Sequence, residues 1–202
     1  MNVYLDVPFQ EKDEAKALGA RWDAGRKRWY VPQGLDCAPF ERWMPAHLYL
    51  VIGSQRCWKC REDTRVVAFG IPYGWDGAPS LALLPRLECV PYEIRKYLID
   101  QGIRYEKKRS NTTGLYLLNN CCEHCGSLQG EFFLFSEPDS PFLPDSSDEI
   151  SRLRFLKVPL PCPVSGSVSF WEPTGEMLHE YAMSHFEELD LDIVERLRAE
   201  SD

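Results

Sequence analysis

The chain has 202 residues, a formal charge of −8, and 44% hydrophobic and 27% charged side chains. A chain of this size forms one larger domain or two small ones and can bury a sizeable core without staples. No apolar run approaches the roughly 18 residues that cross a bilayer, and Met1 to Asp6 lacks a basic segment followed by an apolar stretch. The sequence therefore predicts a cytoplasmic protein with no membrane partner. Thiols stay reduced in that compartment, so the eight cysteines point to metal ligation or packing rather than to a disulfide framework.

The charge is unevenly spread. Residues 1–47 carry seven basic and seven acidic side chains, residues 48–130 eleven and eight, and residues 131–202 five and sixteen. An acidic chain is repelled from nucleic acid at long range, so any such contact has to be local and on the first two thirds. The acidic final third suits solvent or a basic protein partner.

Val3 to Val7 alternates like a strand and is stopped by Pro8. Glu11 to Leu18 reads as a helix with acidic residues in its first turn, and Gly19 suits the left-handed position after it. Asp23 to Arg26 is a turn feeding a second strand, Trp29 to Val31, closed by Pro32. Leu35 to Met44 reads as a short helix. Residues 1–47 thus form a strand–helix–strand unit.

The run Leu5 to Asp23 (LDVPFQEKDEAKALGARWD), followed by Lys27 to Pro32 (KRWYVP), resembles a small bacterial domain of unknown function attached to plasmid-type DNA primases and other mobile-element proteins. The resemblance implies association with nucleic-acid-handling systems and transfers no chemistry. No primase or nuclease motif follows it.

Residues 48–135 read as a split zinc-ribbon module. Leu48 to Ile52 is a strand entering the pair Cys57-Trp58-Lys59-Cys60, and Thr64 to Ile71 is a strand leaving it. Pro91 to Gln101 is a helix with Ile94, Tyr97 and Leu98 on one face and Gly102 as its stop. Leu115 to Leu118 is a strand running into Cys122-Glu123-His124-Cys125, and Phe132 to Phe135 is a short apolar run beyond it. Residues 136–150 are a Pro-, Ser- and Asp-rich linker, Phe155 to Leu160 is a strand, and Pro159, Pro161 and Pro163 keep the chain extended. Gly175 to Arg198 reads as two acidic helices meeting near Leu189. The expected class is α+β: the N-terminal unit (1–47), the split ribbon (48–135) with an insertion over 61–121 that includes a helix, and an acidic C-terminal part (136–202).

The two Cys-x-x-Cys pairs carry the clearest chemistry. Each places two thiolates on one tight turn, and two turns close a tetrahedron around zinc. Cys57, Cys60, Cys122 and Cys125 are the expected ligands of one structural zinc per chain. Cys121 is an alternative to Cys122, disfavoured because it stands one residue further from Cys125. Gly126 eases the second turn, whereas Arg61 occupies that place in the first. Arg56, Lys59, Arg61 and His124 are placed to offset the net charge of −2 on a four-thiolate site. The gap of 61 residues between Cys60 and Cys122 exceeds the compact spacing of such motifs, so the metal would staple distant segments. A closed four-thiolate site has no open position, which makes it structural rather than catalytic. Cys57-Trp58-Lys59-Cys60 does not open a helix as a redox dithiol does. Cys37, Cys89 and Cys162 have no spaced partners and read as packing residues. Tyr116 to Phe135 also resembles second-knuckle segments of uncharacterised bacterial zinc-ribbon proteins, and the likeness extends over residues 57–135.

His179-Glu180 with His185 fails the zinc-protease helix motif, because Met183 stands where the second histidine belongs. Exposed or capping histidines are the expectation. No phosphate loop, nucleophile elbow or carboxylate pair is present, so a non-enzyme is expected. Arg21-Trp22 and Lys27-Arg28-Trp29-Tyr30 interleave bases with aromatics, as a platform for single strands does. Trp22 and Trp29 are expected in the core of this small unit, leaving Arg26, Arg28 and Tyr30 as surface candidates. Arg104, Lys107, Lys108 and Arg109 form a second basic cluster, on a hairpin beside Tyr105. The expected role is a non-catalytic zinc-binding accessory protein of nucleic-acid-handling or mobile-element systems. The alternative is an immunity-type protein that binds a basic protein partner through its acidic part. Oligomeric state is not legible.

Overall fold

The structure, a computed structural model, describes residues 3–25, 27–32, 34–36, 38–43, 47–75, 78–87, 90–110, 114–159 and 174–189. Arg26, Cys37, Cys89, Cys162, Pro161 and Pro163 lie outside the described residues, as does the expected helical segment beyond Leu189. The fold is α+β.

The N-terminal unit holds one strand more than the sequence pattern shows. Strand β1 (Val3–Leu5) leads through a 3-10 turn, Phe9–Glu11, into helix α1 (Lys12–Ala17). Strands β2 (Arg21–Asp23) and β3 (Arg28–Val31) form a hairpin, and the sheet order is β1-β3-β2. Three residues are too few to show alternation, which is why β2 reads as loop in the sequence. Gly19 takes the expected left-handed backbone, with φ +107°. The expected short helix after Pro32 is a 3-10 helix, Ala38–Trp43. Leu5, Ala15, Ala20, Val31, Phe40 and Trp43 are buried together, and Met183 joins them from the far end of the chain. Trp29 packs on this cluster, but Trp22 does not. Trp22 meets Trp29 edge-on and remains 51% exposed, which corrects the expectation that both are core.

The central sheet has five strands in the order β10-β9-β4-β5-β6. They are β4 (His47–Arg56), β5 (Asp63–Trp75), β6 (Ala78–Leu84), β9 (Arg154–Pro159) and β10 (Glu187–Glu188). All pair antiparallel except β10, which runs parallel to β9. The near-continuous apolar run of β4 reflects burial of both faces. Leu48, Leu50 and Ile52 face a layer built on helix α2 (Tyr92–Asp100), whose Ile94 and Leu98 are buried there. Tyr49 and Val51 face the other layer, with Leu134 and Phe135 of α3 (Glu131–Phe135), Ile150 of α4 (Ser147–Ile150), and Leu178 and Ala182 of α5 (Gly175–His185). Strands β7 (Tyr105–Arg109) and β8 (Tyr116–Asn120) form a separate hairpin.

Two expectations for the C-terminal part change. The Phe155 strand lies inside the sheet beside β4, so this segment contributes to the same core as residues 48–84. The helix opening at Gly175 stops at His185, because Phe186 turns extended to let Glu187 and Glu188 pair with β9. His179 is also not a surface histidine. It is buried, with Nε2 2.8 Å from Glu41 Oε1, and so ties α5 to the N-terminal unit.

Candidate metal centre

Both Cys-x-x-Cys turns close hairpin ends, and they do so with the same bonds. In the turn joining β4 to β5, the Cys57 amide donates to the Glu62 carbonyl (2.8 Å) and the Arg61 amide to the Cys57 carbonyl (3.0 Å). After β8, the Cys122 amide donates to the Ser127 carbonyl (2.8 Å) and the Gly126 amide to the Cys122 carbonyl (2.9 Å). The residue after the second cysteine is left-handed in both turns, with φ +66° at Arg61 and +68° at Gly126. The arginine therefore adopts the glycine conformation, at the cost that a Cβ brings there.

The two turns meet. Sγ of Cys57 lies 3.7 Å from that of Cys125, and Sγ of Cys60 lies 3.6 Å from that of Cys122. All four sulfurs fall within 4.8 Å of one another. Ligands about 2.3 Å from a tetrahedral ion stand about 3.8 Å apart, so the set has the size and shape of a four-thiolate metal site. Cys121 is excluded from it: its buried side chain is directed at the Asn119 carbonyl, its residue bridges to Leu128, and burial pushes its thiol up.

The surroundings favour thiolates at some positions and oppose them at others. Ser127 Oγ lies 3.2 Å from Cys125 Sγ, and this hydrogen bond, with the Ser127 amide, holds the thiol down at about 6. Cys57 receives the Lys59 amide at 3.4 Å and the buried Gln129 side-chain amide at 3.5 Å. Its thiol is lowered although burial acts against this. At Cys60 the Glu62 backbone lowers the value, but burial and the facing sulfurs of Cys122, Cys125 and Cys57 outweigh it and push it up to about 12. Four thiolates at this spacing repel one another, and a cation between them removes that penalty.

The residues between the cysteines clasp the two turns. Trp58 Nε1 donates to the Leu128 carbonyl (2.9 Å). In the other direction the Glu123 amide donates to Thr64 Oγ1 (3.0 Å), the Glu123 carboxylate accepts from Arg65 Nε (2.8 Å), and His124 Nε2 lies 2.9 Å from the Asp63 carbonyl. The 61-residue insertion thus returns to the start of β5. None of Thr64, Arg65, Ser127 or Gln129 is marked by spacing in the sequence; only proximity to the cysteines could have suggested Ser127 and Gln129.

The basic hairpin cluster splits. Lys108 Nζ donates to the Gly126 carbonyl, and the Arg104 guanidinium would stand 2.9 Å from a Cβ built on Gly126. Glu106, hydrogen-bonded at 2.7 Å, holds Arg104 charged, with Cys121 and Cys122 adding to the effect. Arg104 and Lys108 share the Glu106 carboxylate, at 2.7 and 3.9 Å, so the three side chains leave one net positive charge beside the centre. Arg56 Nε donates to the Arg61 carbonyl (2.7 Å), which places its charge at the first cysteine turn. Lys107 points to solvent, and Arg109 Nε donates to the Gly114 carbonyl (3.3 Å). In the N-terminal unit Arg28 pairs with Asp6 at 2.7 Å, and Tyr30 is half-buried in β3.

Residues 2–45 match the family described as a domain of unknown function, DUF5710. Two proteins named DNA primase TraC, both from Escherichia coli, are similar to the same region. One is 68% identical over 41 residues and the other 62% identical over 40, each stretch being 20% of this chain. The matched stretches cover 4% and 3% of those primases. No solved structure matches the chain. Among the described residues no helix is long and apolar enough to cross a membrane.

Proposed function

We propose that this chain is a non-catalytic accessory protein of nucleic-acid-handling, mobile-element systems, held in shape by one structural zinc. The nucleic-acid link rests on the N-terminal unit, which at 68% identity is nearly the same module that is attached to the DNA primases. Zinc is the ion that best suits a closed, tetrahedral four-sulfur set, and iron is its competitor. With four protein ligands the ion has no site for water or substrate, so its role is to pin the turn after β4 to the turn after β8.

Metal analysis of purified protein should return about one zinc and no iron per chain. Chelation should lower the thermal midpoint, because metal affinity is folding free energy when the apo site is not preformed. A full zinc complement in both Cys60→Ser and Cys125→Ser overturns the ligand assignment. Fluorescence anisotropy with single- and double-stranded DNA and RNA at low salt tests the partner, and absence of binding to all four refutes the nucleic-acid reading.

The alternative partner, a basic protein, is supported by the exposed acids Asp139, Asp145 and Asp148. Deleting residues 136–202 would remove β9 from the sheet, so the informative variant replaces these three by asparagine. Capture of one basic protein by wild type and its loss in that variant would favour this reading.

A further inference from the structure

The N-terminal unit carries a groove of about 450 Å³ that no core residue fills. One wall runs from the end of β1 through the 3-10 turn to the first residue of α1, presenting Val7, Phe9 and Lys12; the other is the β2–β3 hairpin, presenting Trp22, Lys27, Arg28 and Trp29. Phe9 is 77% exposed and Trp22 51% exposed, and neither packs on the hydrophobic core of this unit. Folding gives no reason to leave two large aromatics in water on facing walls of one groove.

Their neighbours are cationic. Lys12 Nζ stands 3.9 Å from the centroid of the Phe9 ring. Among the described residues no carboxylate pairs with Lys12 or Lys27. Asp6, the acid in the lining, is neutralised by Arg28 at 2.7 Å. The unit's acids Glu11 and Glu14 are directed elsewhere, to Trp43 and Arg42. Lys27 is held at φ +51°, a costly conformation for a residue with a Cβ, at the tip of the hairpin where the chain enters the groove wall.

We infer that this groove binds single-stranded DNA, with bases stacked on Phe9 and Trp22 and the phosphates on Lys12 and Lys27. Exposed aromatic faces bracketed by lysines are a combination that takes a flexible strand without reading its sequence. Duplex DNA keeps its bases stacked inward and offers the aromatics nothing. The choice of DNA rests on the function proposed above; the groove itself is argued from its own geometry. Two rings accommodate about two bases, so affinity is modest and strongly dependent on salt.

The test uses the zinc-loaded 202-residue chain and a short fluorescein-labelled oligothymidylate, read by anisotropy. Phe9→Ala and Trp22→Ala should each weaken binding about 5- to 100-fold, the range for one lost base stack. Both side chains are exposed, and circular dichroism checks that the fold is kept. With two phosphate contacts, log K should fall against log salt with a slope of about −1.4, and Lys12→Ala should reduce that slope by about 0.7. Wild-type affinity in the Phe9→Ala, Trp22→Ala double variant overturns the groove. If Lys107→Glu with Arg109→Glu then abolishes binding, the nucleic-acid reading stands and the strand lies on the β7–β8 hairpin instead. Equal binding of duplex overturns the stacking mode, and tighter binding of the RNA of matching sequence overturns the assignment to DNA. Binding of no nucleic acid overturns both the groove and the reading beneath it.

Discussion

Asn120 joins the second cysteine turn to the central sheet by standing in for a strand. Pairing of β6 with β5 ends at Leu84 opposite Phe69, just before Pro85, which has no N–H to continue it. The next groups that need a partner on that edge belong to Val67. The Val67 amide donates to Asn120 Oδ1 (2.7 Å), and Asn120 Nδ2 donates to the Val67 carbonyl (2.9 Å). Both residues are buried, Val67 at 0% and Asn120 at 4% exposure, so water cannot replace either bond. Asn120→Ala orphans one buried donor and one buried acceptor, each worth about 1–3 kcal/mol, for a predicted loss of about 2–6 kcal/mol. Asn120→Asp should do no better, because it keeps an acceptor for the amide but sets a second oxygen against the Val67 carbonyl. The measurement is urea unfolding with zinc in saturating excess, together with hydrogen exchange at the Val67 amide. A loss below about 1 kcal/mol with unchanged exchange at Val67 would refute the reasoning.

Other predictions follow from the same geometry. Gly126→Ala should destabilise by about 1–2 kcal/mol, because φ +68° is costly with a Cβ and the Arg104 guanidinium must move aside; denaturation at fixed zinc reads this, and a neutral effect contradicts it. Arg61→Gly should act in the opposite direction, gaining up to about 1 kcal/mol by relieving the matching strain at φ +66°, less the entropy a glycine adds to the unfolded chain. A loss of stability there would mean that the arginine side chain contributes more than its backbone costs. The pair between Arg154 and Glu187 gives a pH dependence. Its hydrogen bond holds the Glu187 carboxyl below the usual carboxylate range, so its contribution is present above the unfolded value and disappears as pH falls through the folded one. Both partners are about half exposed, which limits the effect to under about 1 kcal/mol. Glu187→Gln should flatten the stability profile between about pH 6 and pH 3, and an unchanged profile rules this pair out as its source.

The strands around the first cysteine pair were legible because β4 and β5 are long and apolar, and Pro91 to Gly102 because its buried face repeats at helical spacing. The four sulfurs were legible from the x-x spacing alone, since one tight turn is enough to bring each pair together. Four other features were not. Strand β2 is too short to show a period. Trp22 carries no local sign of which side of the hairpin it occupies. The burial of His179 depends on Glu41, 138 residues away. Arg104 and Lys108 look like a solvated basic run until the hairpin folds them over Gly126.

The chain's own order of residues thus settles the donor set, the strand and helix cores, and the likeness of the first 40 or so residues to a module found in primases. These are local properties, set by spacing, periodicity and identity over short runs. The closure of the two cysteine turns across 61 residues, the insertion of β9 beside β4, the clasp of Asn120 on Val67 and the groove between Phe9 and Trp22 were decided only by tertiary structure. Each depends on which face a side chain presents once distant segments pack, and a single sequence does not record that.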